Sequence, residues 1–441
     1  MSDFIVLKNQ IKNFNKKIEI SGDKSISIRW VLLSSIAEGV SSAKNLLMSE
    51  DVMAAINAIK KLGIKVKIKN NLCKIYGRGI NGYKYKKNLI LDAQNSGTFG
   101  RIILGLLINT PYPIKLIGDK SLSKRDFYRI TKPLNKFGAK FKTKSGKLPI
   151  IIKGTDFPKS IEYVESKGSA QIKSSIMLAA LNTNGKTIIK AKKSRNHSEL
   201  IFKHLKLPIK IKKTKNFDII EIEGKKTIKP LNYNIPSDIS SSAFFIVLTA
   251  LSKNSKLKIK NININPTRIG ILKILIMMGV KIKILNKKIY KGEKIADILV
   301  ISTKSIKPIN CPPNLNTAAI DEFLLIFLVA ARANGISVFK NLSELNQKES
   351  PRLLWGSKIL SFMGVKNKIT RDSLKIYGNP NLKIKKKIII KKFLKDHRIF
   401  MTSVIAALVF GGNWQIHDKD SIKTSFPSFL KKIKFLGAKT L

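Results

Sequence analysis

A four-residue phrase recurs six times in this chain of 441 residues and constrains its fold more than any other feature. Each copy consists of an apolar residue, a glycine, a small apolar residue and a lysine. Glycine adopts the left-handed conformation that ends many helices, and alternating apolar and lysine residues follow it. Each copy therefore predicts a helix that ends and a strand that begins. The regular copies lie at residues 62–65, 137–140, 278–281, 363–366 and 436–439, and a degenerate copy with proline in place of glycine lies at 207–210.

The copies divide the chain into six units of about 73 residues, a period longer than that of solenoid repeats. It fits a compact strand-helix-strand unit of α+β type, so three units per domain predict an α/β protein with two similar domains. The last copy ends near the C-terminus, and residues 4–8 could supply the strand that is missing there. One domain would then comprise residues 1–20 and 237–441, the other would comprise residues 21–236, and a ligand would bind in the cleft between them.

The charge is strongly positive, with 84 Lys and Arg against 27 Asp and Glu and a net charge of +57. A basic protein gains affinity for nucleic acid by releasing counterions. The lysines are scattered through every segment, however, and no signature of DNA or RNA binding accompanies them, so nucleic-acid binding is the less favoured alternative. The 11 arginines are more informative, because the guanidinium fork binds phosphate and carboxylate in a bidentate way.

The two cysteines and four histidines exclude several classes of protein. Cys73 and Cys311 cannot form a disulfide framework or a four-ligand zinc site, and the histidines lack metal-binding spacing. We therefore expect a cytoplasmic protein without a metal. The first residues do not resemble an export signal, and the longest apolar run, residues 323–331, is too short to span a bilayer, so we expect no membrane association.

Several predicted helix starts combine small residues, hydroxyls and cations, which is typical of anion-binding sites. They lie at residues 21–29, 95–101 and 169–174, and Lys124 and Arg125 follow another such segment. The second half of the chain instead places carboxylates beside cations, at residues 321–322, 348–352 and 396–398. A carboxylate at a helix start is often only a cap, but carboxylates near positive charge can also move protons.

Taken in order, these motifs resemble the 5-enolpyruvylshikimate-3-phosphate (EPSP) synthase family over nearly the whole chain. The motifs lie at residues 22–27, 95–98, 121–125, 169–174, 194–199, 238–241, 265–268, 320–322, 348–350, 396–398 and 424–427. The resemblance implies two domains, each an inside-out barrel of three βαβαββ units, joined by two crossovers. It also implies transfer of the enolpyruvyl group of phosphoenolpyruvate to the 5-hydroxyl of shikimate 3-phosphate, by a monomer that needs no metal or organic cofactor.

The resemblance also assigns roles to residues. Asp321 would be the base that takes the proton of the 5-hydroxyl, and Glu349 with Lys24 would be the acid/base pair at the methylene carbon. Shikimate 3-phosphate would be held by Lys24, Ser25, Arg29, Ser169, Ala170, Gln171, Arg195, Asp321 and Lys348. Phosphoenolpyruvate would be held by Lys24, Gly97, Arg125, Gln171, Arg352 and Arg398. Glyphosate should inhibit, because Gly97 leaves the phosphoenolpyruvate site uncrowded.

The chain departs from the usual motifs of this family at four positions. Ile28 stands where histidine is usual, Asp126 where proline is usual, and Asn346 and Pro351 where arginine and aspartate are usual. The alternative within the same fold is the enolpyruvyl transferase that acts on UDP-N-acetylglucosamine. That family uses a cysteine in a mobile loop shortly before an arginine, and the comparable stretch, residues 118–125, contains none.

Overall fold

The structure, a computed structural model, describes residues 3–439. Residues 3–21 form strands β1 (Phe4–Leu7) and β2 (Asn15–Glu19). Residues 22–235 form, in order, α1 (Lys24–Ser35), β3 (Glu38–Lys44), α2 (Glu50–Lys61), β4 (Lys65–Lys69), β5 (Leu72–Arg78), β6 (Leu89–Asp92), α3 (Gly97–Leu106), β7 (Ile114–Ile117), α4 (Tyr128–Asn135), β8 (Lys140–Lys144), β9 (Lys147–Lys153), β10 (Glu162–Glu165), α5 (Ala170–Ala180), β11 (Lys186–Lys192), α6 (His197–His204), β12 (Ile209–Lys213), β13 (Phe217–Glu223) and β14 (Asn232–Asn234).

The remaining residues continue the alternation of helices and strands. They form α7 (Ile239–Leu251), β15 (Lys256–Asn263), α8 (Gly270–Met277), β16 (Lys281–Tyr290), β17 (Glu293–Ile301), α9 (Asn316–Ala319), α10 (Phe323–Ala331), β18 (Ile336–Phe339), α11 (Arg352–Phe362), β19 (Asn367–Ile369), β20 (Leu374–Tyr377), β21 (Lys387–Ile390), α12 (His397–Phe410), β22 (Asn413–His417) and α13 (Phe429–Phe435). Short 3-10 helices lie at Leu122–Lys124, Pro313–Leu315, Ser343–Gln347 and Lys419–Thr424.

The described residues divide into two compact units. The central unit consists of Gly22–Ile235 together with the tip of the β16–β17 hairpin, Tyr290–Glu293. The terminal unit consists of residues 3–21, Pro236–Ile289 and residues 294–439. The chain thus passes from one unit to the other after Ser21 and after Ile235. The hairpin tip also belongs to the central unit, which the sequence did not indicate.

The strands of the described residues form six small sheets, three in each unit. Those of the central unit have the orders β14-β3-β5-β4, β6-β7-β9-β8 and β10-β11-β13-β12, and in each the first pair is parallel and the others antiparallel. Those of the terminal unit have the orders β16-β17-β15-β2, β18-β20-β19 and β1-β22-β21. Strand β1 pairs antiparallel with β22, which lies at the other end of the sequence. Six sheets from one chain confirm the repeat of six units.

Each unit buries helices and exposes one face of its sheets, which is the inside-out arrangement. Every residue of α7 and of α10 is buried, as are Ile26 to Ser35 of α1. A helix that is apolar on all sides must lie inside a core. Several strands instead alternate buried residues with exposed lysines, as β11 does, where Lys190 and Lys192 are exposed and Ile189 and Ala191 are buried. The lysines within these strands therefore mark the outer faces of the sheets.

The glycines of the repeated phrase end their helices as predicted. Gly63 has φ +87°, and its N–H and that of Ile64 donate to the carbonyls of Lys60 and Ile59. This pair of hydrogen bonds satisfies carbonyls that the helix end leaves without partners.

The equivalence of Pro208 with these glycines is wrong. In the third copy Lys206 takes the left-handed position, with φ +55°. Its N–H and that of Leu207 donate to the carbonyls of Lys203 and Phe202, which is the same pattern of hydrogen bonds two residues earlier. Left-handed backbone is strained for a residue with a Cβ, by about 1 kcal/mol. The two hydrogen bonds hold Lys206 there, so residue type alone did not reveal the helix end.

Within residues 3–439 no single helix is both long and apolar enough to cross a membrane. The segments Pro313–Ala319 and Phe323–Ala331 meet the length and composition criteria only when they are joined, and they are bent by 120° at the break between them.

Candidate functional site

Five buried helices begin with a side-chain cap, and these starts coincide with the motifs that the sequence singled out. The caps are Asp23 for α1, Ser96 for α3, Ser169 for α5, Asp238 for α7 and Asp396 for α12. Each side chain accepts a hydrogen bond from a backbone N–H of the first turn, which stabilises a helix end. Because Asp23 is the cap, α1 begins at Lys24, within the predicted helix start at residues 21–29. The caps fix where each following cation or hydroxyl lies.

Lys24 lies in the first turn of α1 and pairs with a carboxylate that the sequence analysis missed. Its Nζ is 2.8 Å from Oδ2 of Asp51, and the two side chains are 23% and 10% exposed. Asp51 lies in the first turn of α2. The chain has only 27 acidic residues, so a carboxylate at the start of a helix is the sequence signal that could have identified Asp51. The partly exposed ammonium remains accessible to an anion.

Arg29 is buried and contacts hydroxyl groups of two other helices, α5 and α6. Its Nε donates to Ser198 Oγ at 2.8 Å, its Nη2 to Ser174 Oγ at 2.8 Å and its Nη1 to the carbonyl of Ser25 at 3.1 Å. Burial lowers the pKa of Arg29 to about 10, against the opposing effect of Glu199. Arg29 thus connects α1 to α5 and α6 by hydrogen bonds, and these bonds stabilise the packing of the three helices.

Arg125, Gly97 and Gln171 are brought together in the central unit. The Nη2 of Arg125 donates to Asn95 Oδ1 at 2.9 Å and to Ser121 Oγ at 3.3 Å. A Cβ at Gly97 would lie 3.2 Å from Nη1 of the same guanidinium. Gln171 accepts from Arg101 Nη1 at 2.7 Å, and a Cβ at Gly97 would lie 3.5 Å from that nitrogen. Gly97 therefore lies against two guanidinium groups, those of Arg101 and Arg125.

The start of α5 and the start of α6 both belong to the central unit. Ser169 accepts from the N–H of Ile172, and Ala170 and Gln171 form the first turn of α5. Arg195 precedes α6 and lies close enough to Arg29 for their charges to interact. Behind these helix starts Lys173 Nζ pairs with Glu199 Oε1 at 2.5 Å, and both side chains are almost fully buried.

In the terminal unit Arg352 is the centre of a buried cluster of carboxylates. Its Nε is 2.9 Å from Asp396 Oδ2, and its Nη1 is 3.6 Å from Asp321 Oδ1. Its Nη2 also pairs with Glu349, one turn earlier. Lys348 Nζ adds a second cation at 3.4 Å from Asp321 Oδ1. The two predicted acid/base residues of this unit thus share one guanidinium.

Arg398 belongs to an adjoining group around Ser240. Its Nη1 donates to the carbonyl of Asp321 at 2.6 Å, and its Nη2 donates to Ser240 Oγ at 3.1 Å. The Ser240 hydroxyl also donates a hydrogen bond to the Glu322 carboxylate and accepts one from Arg268 Nη2 at 2.9 Å. Burial raises the pKa of Glu322, although Arg398 works against that rise. These motifs are visible in the sequence, but a role for Ser240 is not, because three charged groups converge on its hydroxyl only after folding.

Asp396 illustrates why a cap can also be part of a site. Its Oδ1 accepts from the N–H of Arg398 at 2.9 Å, and Ser350 Oγ donates to its Oδ2 at 2.8 Å. Burial works to raise the pKa of the Asp396 carboxyl, but Arg352 outweighs burial and leaves this pKa below its ordinary value. Asp396 therefore caps α12 and fixes Arg352 at the same time.

We expect Asp396→Asn to lower the free energy of unfolding by about 3 kcal/mol, because it leaves the buried Arg352 charge without its main partner. Urea titration would measure this. The control Asp420→Asn removes the partner of Lys423 at 2.9 Å, where both side chains are more than half exposed, and should change stability by about 1 kcal/mol or less.

The stabilisation by Asp396 is present above its unfolded pKa of about 4 and is lost as the pH falls through the lower folded pKa. The wild type and Asp396→Asn should therefore converge in stability only in strong acid. Equal stability of the two proteins at neutral pH would contradict the assignment of Asp396 as the main partner of Arg352.

Three of the four departures from the usual motifs are accommodated locally, and the fourth, Asn346, is not. Ile28 is fully buried in the core, and Pro351 precedes α11 as its N-cap residue. Asp126 accepts from the N–H of Tyr128 at 2.7 Å and pairs with Arg129 at 3.1 Å. The amide oxygen of Asn346 is buried and has no hydrogen-bond partner among residues 3–439.

Comparison with known proteins identifies the family to which this chain belongs. The family EPSP synthase (3-phosphoshikimate 1-carboxyvinyltransferase) matches residues 8–433. The chain belongs to the EPSP synthase family. A 3-phosphoshikimate 1-carboxyvinyltransferase of Ruthia magnifica subsp. Calyptogena magnifica is 37% identical over 438 residues, which are 99% of this chain and 98% of that relative.

Solved structures agree with this family membership. EPSP synthase from Acinetobacter baumannii superposes with a TM-score of 0.88 at 33% identity, over 99% of both chains. The enolpyruvyl transferase NikO from Streptomyces tendae has a TM-score of 0.78 at 12% identity, over 100% of this chain and 99% of its own, and so shares the fold. The predicted fold class, with two inside-out domains, is confirmed. Among the residues that the structure describes, no group of three or more His, Cys, Asp or Glu side chains could hold a metal ion.

Proposed function

We propose that this chain transfers the enolpyruvyl group of phosphoenolpyruvate to the 5-hydroxyl of shikimate 3-phosphate and releases phosphate. The observation that carries the proposal is the cluster around Arg352, in a chain that matches the EPSP synthase family from residue 8 to residue 433. Two carboxylates, Asp321 and Glu349, lie on one guanidinium with different further partners. Such an arrangement suits a reaction that needs a base for a hydroxyl and an acid for a carbon.

The charge of the two substrates supports the same proposal. Each carries one phosphate and one carboxylate, about six negative charges in all. We assign shikimate 3-phosphate to the starts of α1, α5 and α6 with Asp321 and Lys348. We assign phosphoenolpyruvate to Lys24, Gly97, Arg125, Gln171, Arg352 and Arg398. Backbone N–H groups at helix starts and guanidinium groups are the donors that bind such anions. Both residue sets would then serve one reaction.

In the addition step the 5-hydroxyl oxygen attacks C2 of phosphoenolpyruvate. Asp321 takes the hydroxyl proton, and Lys348 and Arg352, within 3.6 Å of its Oδ1, stabilise its negative charge beforehand. Glu349 with Lys24 gives a proton to the methylene carbon, which becomes a methyl group. The product of this step is a tetrahedral ketal, whose phosphate and carboxylate charges are stabilised by fixed cations.

In the elimination step the bond between C2 and the phosphate oxygen breaks. The methyl group returns one proton to the pair of Glu349 and Lys24, and the proton that Asp321 had taken leaves with the phosphate. The alkene is restored on the new ether. Protons and electrons balance within the two substrates, so no further reactant is needed.

A phosphate-release assay tests the proposal directly. Purified protein with shikimate 3-phosphate and phosphoenolpyruvate should release phosphate, and either substrate alone should release none. A parallel reaction with UDP-N-acetylglucosamine in place of shikimate 3-phosphate should be silent. Phosphate release with UDP-N-acetylglucosamine but not with shikimate 3-phosphate would show the activity of the other enolpyruvyl transferase. No phosphate release with either acceptor would contradict the proposal.

Gly97→Ala tests the phosphoenolpyruvate site. The added Cβ would lie 3.2 Å from Nη1 of Arg125, so the guanidinium must move. We expect the KM for phosphoenolpyruvate to rise about tenfold. The KM for shikimate 3-phosphate should stay unchanged and serves as the internal control. Glyphosate should inhibit the wild-type enzyme in competition with phosphoenolpyruvate and should inhibit the variant less. Equal values of KM for both forms would remove Gly97 from the site.

We further propose that the protein acts as a monomer in the cytoplasm. The two cysteines support a reducing compartment, because Cys73 and Cys311 are both unpaired and buried. Burial raises the pKa of each thiol to about 11, which keeps both unreactive. Light scattering of the purified protein would measure the oligomeric state.

A further inference from the structure

Glu165 is a buried carboxylate to which the proposed reaction gives no role. It is the last residue of β10 and only 1% exposed. Acidic residues are almost never this deeply buried unless they have partners. The partners of Glu165 are backbone N–H groups of the segment that joins β10 to α5.

Both oxygens of Glu165 hold this segment. Oε1 accepts from the N–H of Lys167 at 2.9 Å, and Oε2 accepts from the N–H of Ser169 at 3.1 Å. The N–H of Gly168 also donates to the carboxylate, and this glycine has a left-handed φ of +67°. One side chain thus fixes three consecutive peptide groups into a tight turn.

The turn decides where the start of α5 points. Ser169 directs its N–H at Glu165, while its Oγ accepts from the N–H of Ile172. The hydroxyl proton of Ser169 and the first amides of α5 can therefore donate in another direction, to an anion. The cationic side chain on the same helix, Lys173, is directed elsewhere, since it pairs with Glu199.

We propose that Glu165 is a positioning residue for shikimate 3-phosphate, which shapes the turn so that Ser169, Ala170 and Gln171 meet the substrate. This inference rests on the function proposed above. Glu165 acts through the turn and does not touch the substrate or the reacting atoms. An ionised carboxylate is required, because only a side chain with two acceptor oxygens can receive all these N–H groups. A glutamine of the same shape presents an NH2 group to one of them.

The experiment compares Glu165→Gln with Glu162→Gln. Glu162 lies on the same strand and is exposed, so its variant makes the same change of charge without touching the turn. We expect the Kd and the KM for shikimate 3-phosphate to rise about tenfold or more in Glu165→Gln. The KM for phosphoenolpyruvate should rise less than the KM for shikimate 3-phosphate, because Gln171 alone of the three positioned residues serves both substrates. The kcat at saturating shikimate 3-phosphate should stay within about twofold. Glu162→Gln should match the wild type in all four quantities.

Stability separates this role from a merely structural one. Burial raises the pKa of Glu165 in spite of its N–H donors, so a neutral side chain relieves part of the desolvation. We therefore expect the Tm of Glu165→Gln to lie within about 5 °C of the wild type. If this variant does not fold, Glu165→Asp replaces it. Asp keeps both acceptor oxygens but is one carbon shorter, and should raise the Kd for shikimate 3-phosphate selectively.

The outcomes are distinguishable. Wild-type protein that binds shikimate 3-phosphate, with a Glu165 variant that binds it equally well, overturns the inference alone. A variant that loses both substrates and kcat together also overturns it, because the role would then be structural. Wild-type protein that neither binds shikimate 3-phosphate nor turns it over contradicts the proposed function and this inference with it.

Discussion

Asp321→Asn is expected to lower kcat by about a thousandfold while the protein still binds shikimate 3-phosphate. The amide has the shape of the carboxylate but cannot take the proton of the 5-hydroxyl. Its oxygen can still face Lys348 and Arg352, which lie 3.4 Å and 3.6 Å from Oδ1 in the wild type. Steady-state kinetics would give kcat, and isothermal titration would give the Kd for shikimate 3-phosphate, which we expect within about threefold of the wild type.

The control for this variant is Asp420→Asn, which removes an exposed carboxylate of the same unit. It should leave both kcat and Kd unchanged. Turnover of Asp321→Asn near the wild-type rate would show that another group is the base. Loss of binding together with turnover would instead show that Asp321 mainly holds the substrate.

Glu349→Gln is expected to reduce kcat by about a hundredfold to a thousandfold through a different step. Glu349 is paired with Arg352 and is partly exposed, so a proton can reach it from solvent or substrate. The variant can no longer give a proton to the methylene carbon or take one from the methyl group. In D2O the wild-type enzyme should place deuterium in the methylene position of the product and of recovered phosphoenolpyruvate, and mass spectrometry would measure this exchange.

The exchange experiment separates the two carboxylates. In Glu349→Gln, exchange and turnover should fall together. The matched control is Glu344→Gln, which changes an exposed carboxylate in the preceding 3-10 helix and should keep full exchange. Full exchange in Glu349→Gln with slow turnover would assign the carbon proton transfer to Lys24 alone.

The predictions from sequence were most successful where one residue type has one conformational consequence. Gly63 and the four glycines that match it end helices because they lack a Cβ, and exposed lysines mark the outer faces of strands such as β11. These local rules determined the six units and the two-domain fold. They failed at the third copy, where Lys206 takes the left-handed position because two hydrogen bonds compensate its strain.

The sequence also singled out candidate residues for the proposed chemistry, because the scarcity of arginine and of acidic residues made the remaining ones informative. It could not pair them. Arg352 contacts Asp396, 44 residues away along the chain, and Lys24 contacts Asp51, 27 residues away. Such pairs depend on how helices pack, and no periodicity in the sequence records that packing.

The sequence by itself thus determined the repeat, the helix starts and the family of this protein, since each depends on residue type and spacing along the chain. Only the tertiary structure decided that Arg29 is buried under hydroxyl groups, that Asp321 and Glu349 share Arg352, and that Glu165 faces the turn before α5. The physical reason is that burial and charge pairing depend on distance in space. A carboxylate takes its role from the cations and amide groups that folding brings to it.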